Sequence, residues 1–295
     1  MVSMSRCVSS HVLASVRGRV ARVVGVGVSC VALAVGALVA SPGAAVAADP
    51  ITHQDYVDYY HLDSARAKGY TGKGVIIALI DAPVDTSDPE LAGATIVDKS
   101  RCTIEASARG KRHAIDMAAI LVSPYTGVAP DATLYSYQSS NVDSISAGSC
   151  ETDGKTLDSF GTLINQAVED GAQIISISQG APDKSDELKW AIANAVAHGV
   201  IVVASAGNEG KDENSSHLSK WSGVVGVSAI NTDGTFASYS SWGNGVVTAA
   251  VGGPFNTRDP ETNQPTSGKG TSISTALVAG MLALALQKWP NATPN

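Results

Sequence analysis

The sequence has 295 residues, of which 44% are hydrophobic and 16% are charged, and its formal net charge at pH 7 is −7. This length is sufficient for one large domain with a substantial core. The excess of acidic residues disfavours nucleic acid or anionic lipid as a partner.

The first 47 residues have the pattern of a secretory signal peptide. Four arginines precede an apolar run from Val23 to Ala40, and Ala45-Val46-Ala47 resembles a signal-peptidase site. The run is also long enough for an uncleaved membrane anchor, but its glycines and Ser41-Pro42-Gly43 favour cleavage. We therefore predict a secreted protein whose domain spans residues 48–295, and which meets a membrane only during export.

Removal of this leader makes the chain more acidic and leaves it with two cysteines. Four of the 20 basic residues and none of the 27 acidic residues lie within residues 1–47, so the remaining chain carries a formal charge of −11. Cys102 and Cys150 remain, and export favours a disulfide between them. Neither cysteine has a metal-ligand partner at short spacing, so a zinc site is not expected.

Apolar strands alternate with helical patterns along most of the chain. Val75 to Ile80 is a continuous apolar run that ends at Asp81, which is typical of a strand buried on both faces. A short helix is predicted over 62–67, longer helices over 160–168 and 188–196, and further strands over 133–137, 174–178, 200–204 and 224–228. This alternation predicts an α/β fold with a mostly parallel sheet covered by helices on both faces.

The region before His113 shows no apolar periodicity. Residues between Lys99 and Arg112 are polar and basic, and they are predicted to form a loop. Apolar residues at helical spacing, such as Ile115 and Val122, predict a helix that begins at His113.

A glycine-rich turn near the C-terminus leads into another apolar helix. Gly268-Lys-Gly-Thr-Ser precedes a helical pattern that continues to Trp289, where Pro290 ends it. Ser272 is therefore expected at the N-terminus of a helix, where unpaired N–H groups and the helix dipole can stabilise a developing negative charge. A serine nucleophile would be well placed there, although Ser and Thr are also common as simple helix caps.

Five segments, in this order, closely resemble the subtilisin family of serine endopeptidases. They are Gly72-Lys-Gly-Val-Ile-Ile-Ala-Leu-Ile-Asp81, Gly127-Val-Ala-Pro-Asp-Ala132, Ser178-Gln-Gly180, Ala204-Ser-Ala-Gly-Asn208 and Gly270-Thr-Ser-Ile-Ser-Thr-Ala276. The resemblance extends from about Gly69 to the last residue. It implies a three-layer subtilisin-like fold and peptide or protein substrates.

The resemblance assigns roles to individual residues. Ser272 matches the nucleophile, Asp81 the carboxylate that orients the general base, and Asn208 the amide that binds the oxyanion together with the Ser272 N–H. The residues expected to bind an extended substrate, either as an added strand or as the wall of the pocket before the scissile bond, are Ser178, Gln179, Gly180, Ala206 and Gly207.

The general base is the point at which this chain departs from the family pattern. The second histidine of the motif His-Gly-Thr-His-Val-Ala-Gly is taken as the base, and that position holds Asp116 in His113-Ala-Ile-Asp-Met-Ala-Ala119. Asp81 would then face another carboxylate, and one of the two pKa values would rise. A carboxylate is also a weaker base than imidazole at neutral pH. This assignment predicts a peptide-binding homologue with impaired hydrolysis.

Two active alternatives remain open. In the first, His113 supplies the base, although a residue located before the helix would point elsewhere. In the second, Asp116 acts as the base at acid pH, which resembles the sedolisin branch, but that branch has an acid at the oxyanion position where this chain has Asn208.

Other properties follow from the resemblance as expectations. We expect a monomer without a cofactor. Calcium, which many relatives bind, is left unassigned because no loop shows a regular ligand spacing. The chain stops soon after the serine helix, where relatives continue, so truncation of the domain at the C-terminus stays open.

Overall fold

The computed structural model describes residues 48–139, 150–180, 185–212 and 217–292. The predicted leader at 1–47 lies outside these residues. Residues 47–295 form one compact unit.

A seven-stranded parallel sheet forms the centre of this unit. The described residues form eleven strands, of which seven belong to this sheet. They are β1 (Ile76–Asp81), β2 (Ile96–Asp98), β3 (Thr133–Gln138), β4 (Glu151–Thr152), β5 (Lys155–Thr156), β6 (Ile174–Ile177), β7 (Ile201–Ser205), β8 (Val224–Ile230), β9 (Val246–Val251), β10 (Phe255–Arg258) and β11 (Pro265–Gly268). The central sheet has the order β2-β3-β1-β6-β7-β8-β9, and all its paired strands are parallel. Strands β4–β5 and β10–β11 form two antiparallel hairpins.

Helices cover both faces of the sheet. They are α1 (Asp55–Tyr59), α2 (Leu62–Ala67), α3 (Ala108–Val122), α4 (Phe160–Glu169), α5 (Asp186–Ala197) and α6 (Thr271–Lys288). Helices α3 and α6 pack with one core cluster, and α4 and α5 pack with the other. Alternate residues of β1 enter the two cores, because Ile77 and Leu79 belong to the first cluster and Ala78 and Ile80 to the second. This explains the continuous apolar run and confirms the predicted α/β class.

Helix α3 begins earlier than the sequence pattern predicts. Ser107 caps it by accepting a hydrogen bond from the N–H of Gly110 at 3.0 Å, and the helix runs from Ala108. The predicted loop at 99–112 is therefore wrong over its last five positions. The first turn has no large apolar residue, and the side chain of Arg112, which follows it, is buried and held by ion pairs. His113 consequently lies in the second turn of the helix rather than at its first position.

The remaining elements agree with the pattern except where strands are short or exposed. Helix α2 has the predicted bounds, and β3, α4, β6, α5, β7 and β8 lie where they were expected. Helix α1, strands β2 and β9 and the two hairpins were not predicted from the sequence. Strand β2 has three partly or fully exposed residues, and β9 at the sheet edge is exposed at alternate positions in its first four residues.

The predicted disulfide is present. Cys102 and Cys150 are bonded, with their Cα atoms 6.2 Å apart. Helix α6 is long and apolar enough to cross a membrane by length and composition, but 56% of it is buried inside the domain. Its hydrophobicity is explained by its position in the core.

Candidate active site

The predicted site residues lie at the carboxyl edge of the parallel sheet. Asp81 is the last residue of β1, Ser178 follows β6, and Asn208 lies three residues after β7. The N-terminus of α6, with Ser272 as its second residue, meets the same edge. Open α/β sheets place their binding sites at this edge, because the carboxyl ends of parallel strands meet there.

Asp81 is paired with His113. The Nδ1 atom of His113 lies 3.0 Å from Oδ1 of Asp81, and that oxygen also accepts a hydrogen bond from the N–H of Ala82 at 2.7 Å. The Asp81 side chain is 0% exposed, whereas that of His113 is 28% exposed. When Nδ1 carries the proton, the carboxylate fixes both the tautomer and the orientation of the ring, and Nε2 is left as the basic nitrogen.

The contacts of Asp116 differ from those expected of a base beside Asp81. Its Oδ1 lies 2.8 Å from Nε of Arg112, and both carboxylate oxygens lie within hydrogen-bond distance of the Thr257 hydroxyl, at 2.8 and 2.7 Å. Burial raises the pKa of Asp116 to about 6, and Arg112 and Thr257 partly oppose that rise. The expected pairing of Asp81 with Asp116 is replaced by the pairing of Asp81 with His113.

The phase of helix α3 explains this correction. Three residues correspond to 300° of rotation and about 4.5 Å of rise, so His113 and Asp116 share a side of the helix but point about 60° apart. The longer helix puts His113 in its second turn, from which it reaches Asp81. Asp116 instead reaches Thr257 on β10.

Ser272 contacts the segment after β6 and also lines a cavity, which it shares with His113. The Ser272 hydroxyl donates to the carbonyl of Ser178 at 3.2 Å, and the Ser178 hydroxyl donates to the carbonyl of Ser272 at 3.2 Å. A cavity of about 270 Å³ is lined by Ser272, His113 and Asn208 together. The structure thus brings the predicted serine, histidine and amide to one place.

Asn208 is anchored through its side-chain oxygen. Oδ1 accepts hydrogen bonds from the N–H of Thr271 at 2.8 Å and from the Thr271 hydroxyl at 3.1 Å. Thr271 is fully buried, so this acceptor is fixed against the start of α6. The amide nitrogen of Asn208 therefore faces away from Thr271 and is available as a hydrogen-bond donor at the cavity.

The predicted substrate-binding segments, 178–180 and 206–207, both lie beside His217. Ser178 and Gln179 are buried, Gly180 is exposed, and Gly180 forms an antiparallel bridge with His217. Ala206 and Gly207 are buried, and Gly207 has φ of 102°. A side chain at position 207 would overlap both Glu209 and His217, so the site requires glycine there.

Several residues at the site were not identified from the sequence. Arg112 and Thr257 hold Asp116, and Glu209 lies 3.4 Å from His217 beside Gly207. No sequence motif links these pairs, although the four-residue spacing of Arg112 and Asp116 is a standard helical ion-pair spacing. In the part of the chain that the structure describes, no group of three or more His, Cys, Asp or Glu side chains could hold a metal ion, and calcium stays unassigned.

Comparison with known proteins identifies the family. A sequence profile of the Subtilase family matches residues 72–295. Subtilisin DY of Bacillus licheniformis is 32% identical over 235 residues, which cover 77% of this chain and 82% of that protein. Subtilisin E of Bacillus subtilis strain 168 is also 32% identical, over 239 residues that cover 77% of this chain and 59% of that protein. The structure of the prenylagaramide maturation protease PagA matches with a TM-score of 0.62 and 25% identity, over 79% of this chain and 83% of that one. The chain therefore belongs to the subtilase family.

Proposed function

We propose that this chain is a secreted serine endopeptidase in which Ser272 is the nucleophile, His113 the general base and Asp81 the group that orients the base. The hydrogen bond between His113 and Asp81 carries this proposal. The expectation of impaired hydrolysis depended on a carboxylate opposite Asp81. With an imidazole in that position, the active alternative accounts better for the site.

The reaction follows from the position of the imidazole. Nε2 of His113 accepts the proton of the Ser272 hydroxyl as its oxygen attacks the substrate carbonyl carbon, and the resulting imidazolium then protonates the leaving amine. Asp81, buried and bonded to Nδ1, stabilises the imidazolium charge. The Ser272 hydroxyl now donates to the carbonyl of Ser178, so attack requires its rotation towards His113.

The negative charge on the substrate oxygen would be stabilised by two donors. One is the amide nitrogen of Asn208, whose orientation is set by the two bonds from Thr271 to its oxygen. The other is the N–H of Ser272 in the first turn of α6, where the helix dipole also favours negative charge. Donors that are already oriented stabilise the transition state without reorganisation during the reaction.

The substrate would bind as an extended peptide. Residues 178–180 continue from β6 beside Ser272 and would pair with the part of the substrate before the scissile bond. Ala206 and Gly207 would form one wall of the pocket for the residue that precedes that bond. The leader pattern at 1–47 and the Cys102–Cys150 disulfide support secretion, because disulfides persist in oxidising compartments.

Labelling with a serine-directed phosphonate tests this function, because such a probe reacts only with an activated hydroxyl. We expect the probe to modify Ser272 at neutral pH, and we expect the protein to digest casein at pH 8. Ser272→Ala and His113→Ala should each abolish both activities. A correctly folded wild-type protein that neither reacts with the probe nor digests casein would instead be a non-catalytic peptide-binding homologue.

A further inference from the structure

The cavity beside Ser272 lies between helix α3 and the β10–β11 hairpin. His113 and Asp116 line it from α3, and Phe255, Thr257 and Thr266 line it from the hairpin. In the described part of the chain, its lining includes no residue from 178–180 or from 206–207. This cavity is thus separate from the segments assigned to the part of the substrate before the scissile bond.

The position of His113 indicates which part of the substrate enters this cavity. The base that takes the serine proton later delivers it to the leaving amine, so the leaving group must lie beside the imidazole. Since the cavity is bounded by His113 on one side and the hairpin on the other, it is placed to receive the residues that follow the scissile bond.

Asp116 connects the two walls of this cavity. Both of its carboxylate oxygens lie within 2.8 Å of the Thr257 hydroxyl on the hairpin, and its Oδ1 accepts from Nε of Arg112 on its own helix. Arg112 is fixed in turn, because its Nη1 donates to Asp88 at 2.8 Å. The side chains of Arg112, Asp88 and Asp116 are 9%, 11% and 13% exposed. The carboxylate is therefore held on one side by a nearly buried guanidinium and offers its remaining acceptor capacity to Thr257.

The opposite side of the hairpin is held by the N-terminal segment. The Gln54 side chain donates to the carbonyl of Asn256 at 2.7 Å and accepts from its N–H at 2.9 Å. The next residue but one, Arg258, pairs with Glu90 at 2.8 Å. These contacts fix where the hairpin lies, whereas the bond from Thr257 to Asp116 fixes its distance from the helix that carries His113.

From these contacts we propose that Asp116 is a positioning residue that holds β10 against α3 and thereby shapes a binding subsite for the residues after the scissile bond. The inference rests on the proposed function, since it assigns the leaving side from the role of His113. It gives the acid at position 116 a use other than proton transfer. The ligand class is the peptide segment on the carboxyl side of the cleaved bond.

Two substrates with the same acyl part separate this role from that of a base. One is a peptide with three residues after the scissile bond, and the other is a methyl ester with none. For Thr257→Val and Asp116→Asn we expect the ratio of kcat/KM for the peptide to that for the ester to fall about tenfold, while Thr257→Ser, which keeps the hydroxyl, retains the wild-type ratio. An unchanged ratio in both variants would overturn the proposal, as would an equal loss of at least a thousandfold on both substrates in Asp116→Asn, which would identify a base.

A matched control exists in the exposed turn that follows β8. The hydroxyl of Thr235 donates to Asp233 at 2.6 Å, and Thr235 does not line the cavity beside Ser272, so Thr235→Val removes a bond of the same kind outside the proposed subsite. This variant should keep the wild-type ratio. Thermal unfolding of each variant shows whether it is folded. If Thr257→Val does not fold, the ratio of the two kcat/KM values is measured for Asp116→Asn alone.

Binding to the Ser272→Ala protein tests the subsite without turnover. Calorimetry compares a peptide that ends at the residue before the scissile bond with one that continues for three residues. We expect the longer peptide to bind more tightly, and Thr257→Val, but not Thr257→Ser, to remove about tenfold of that gain. Equal affinity of the two peptides would overturn the subsite. Because this result does not depend on hydrolysis, it stays informative if the wild-type protein fails the phosphonate test and the proposed function is wrong.

Discussion

The imidazole of His113 lies 3.0 Å from the carboxylate of Asp81, which is completely buried at the end of β1. This single contact places an imidazole where the sequence pattern predicted a second carboxylate. Under the proposed function it determines which of two acid–base groups on α3 takes part in the reaction.

Replacement of the two candidate bases should have very different effects. We expect His113→Ala to lower kcat by on the order of 10⁴-fold or more, the loss typical of removing a member of a catalytic triad. Asp116→Asn should retain most of the activity on the methyl ester, because its hydrogen bonds are to Arg112 and Thr257. The single-turnover rate of acylation, measured at pH 8 for wild type and for each variant, tests this difference. The reverse order of effects would return Asp116 to the role of base.

Loss of the Asn208 amide should reduce turnover without a matching loss of substrate binding. Asn208→Ala should lower kcat by about 10²- to 10³-fold with a smaller change in KM, because the amide stabilises charge that develops only in the transition state. The same variant removes the acceptor for the N–H and hydroxyl of Thr271. Thr271→Val removes only the hydroxyl bond, so it shows how much of the loss arises from disturbing the start of α6.

The ionisation of Asp116 should make stability depend on pH. Burial raises its pKa in the folded protein from 3.8 to about 6. Between these two values the unfolded chain has lost this proton while the folded protein keeps it, so the free energy of unfolding falls as pH rises; below and above that interval the contribution is constant. The Asp116→Asn variant lacks this titration.

Urea unfolding at pH 4 and pH 7 measures the effect. The stability of wild type relative to Asp116→Asn should decrease by on the order of 1–3 kcal/mol from pH 4 to pH 7, since each pKa unit corresponds to about 1.4 kcal/mol. Asp98→Asn, at an exposed carboxylate, serves as a control for the general effect of removing an acid. A difference between wild type and Asp116→Asn that does not vary with pH would contradict a raised pKa.

Removal of the disulfide should destabilise the domain substantially. Cys102 and Cys150 are separated by 48 residues, and closing a loop of that length is worth about 4 kcal/mol in the chain-entropy model. We expect Cys102→Ser with Cys150→Ser to lower the free energy of unfolding by about that amount in denaturant titrations. A reducing agent should have the same effect on wild type and none on the double variant. Equal stability of the two proteins would show that the bond adds little.

Much of the architecture is determined locally along the chain. The apolar run before Asp81 predicts a strand buried on both faces, and the structure divides its residues between two cores. The glycine-rich turn before Ser272 predicts the start of a helix, and α6 begins at Thr271. These features are predicted from the sequence alone, because an apolar run and a glycine-rich turn before a helix are patterns formed by residues that are neighbours in the chain.

The partners of the two candidate bases were decided by tertiary structure. Arg112 has no apolar character, so the pattern placed the start of the helix too late, at His113. The structure extends α3 back to Ala108, because ion pairs rather than apolar contacts hold its polar first turns. Asp116 meets Thr257 across 141 positions of sequence. Local patterns carry no information about such distant contacts, since these depend on how the helix and the hairpin pack together and on the direction in which each side chain leaves its backbone.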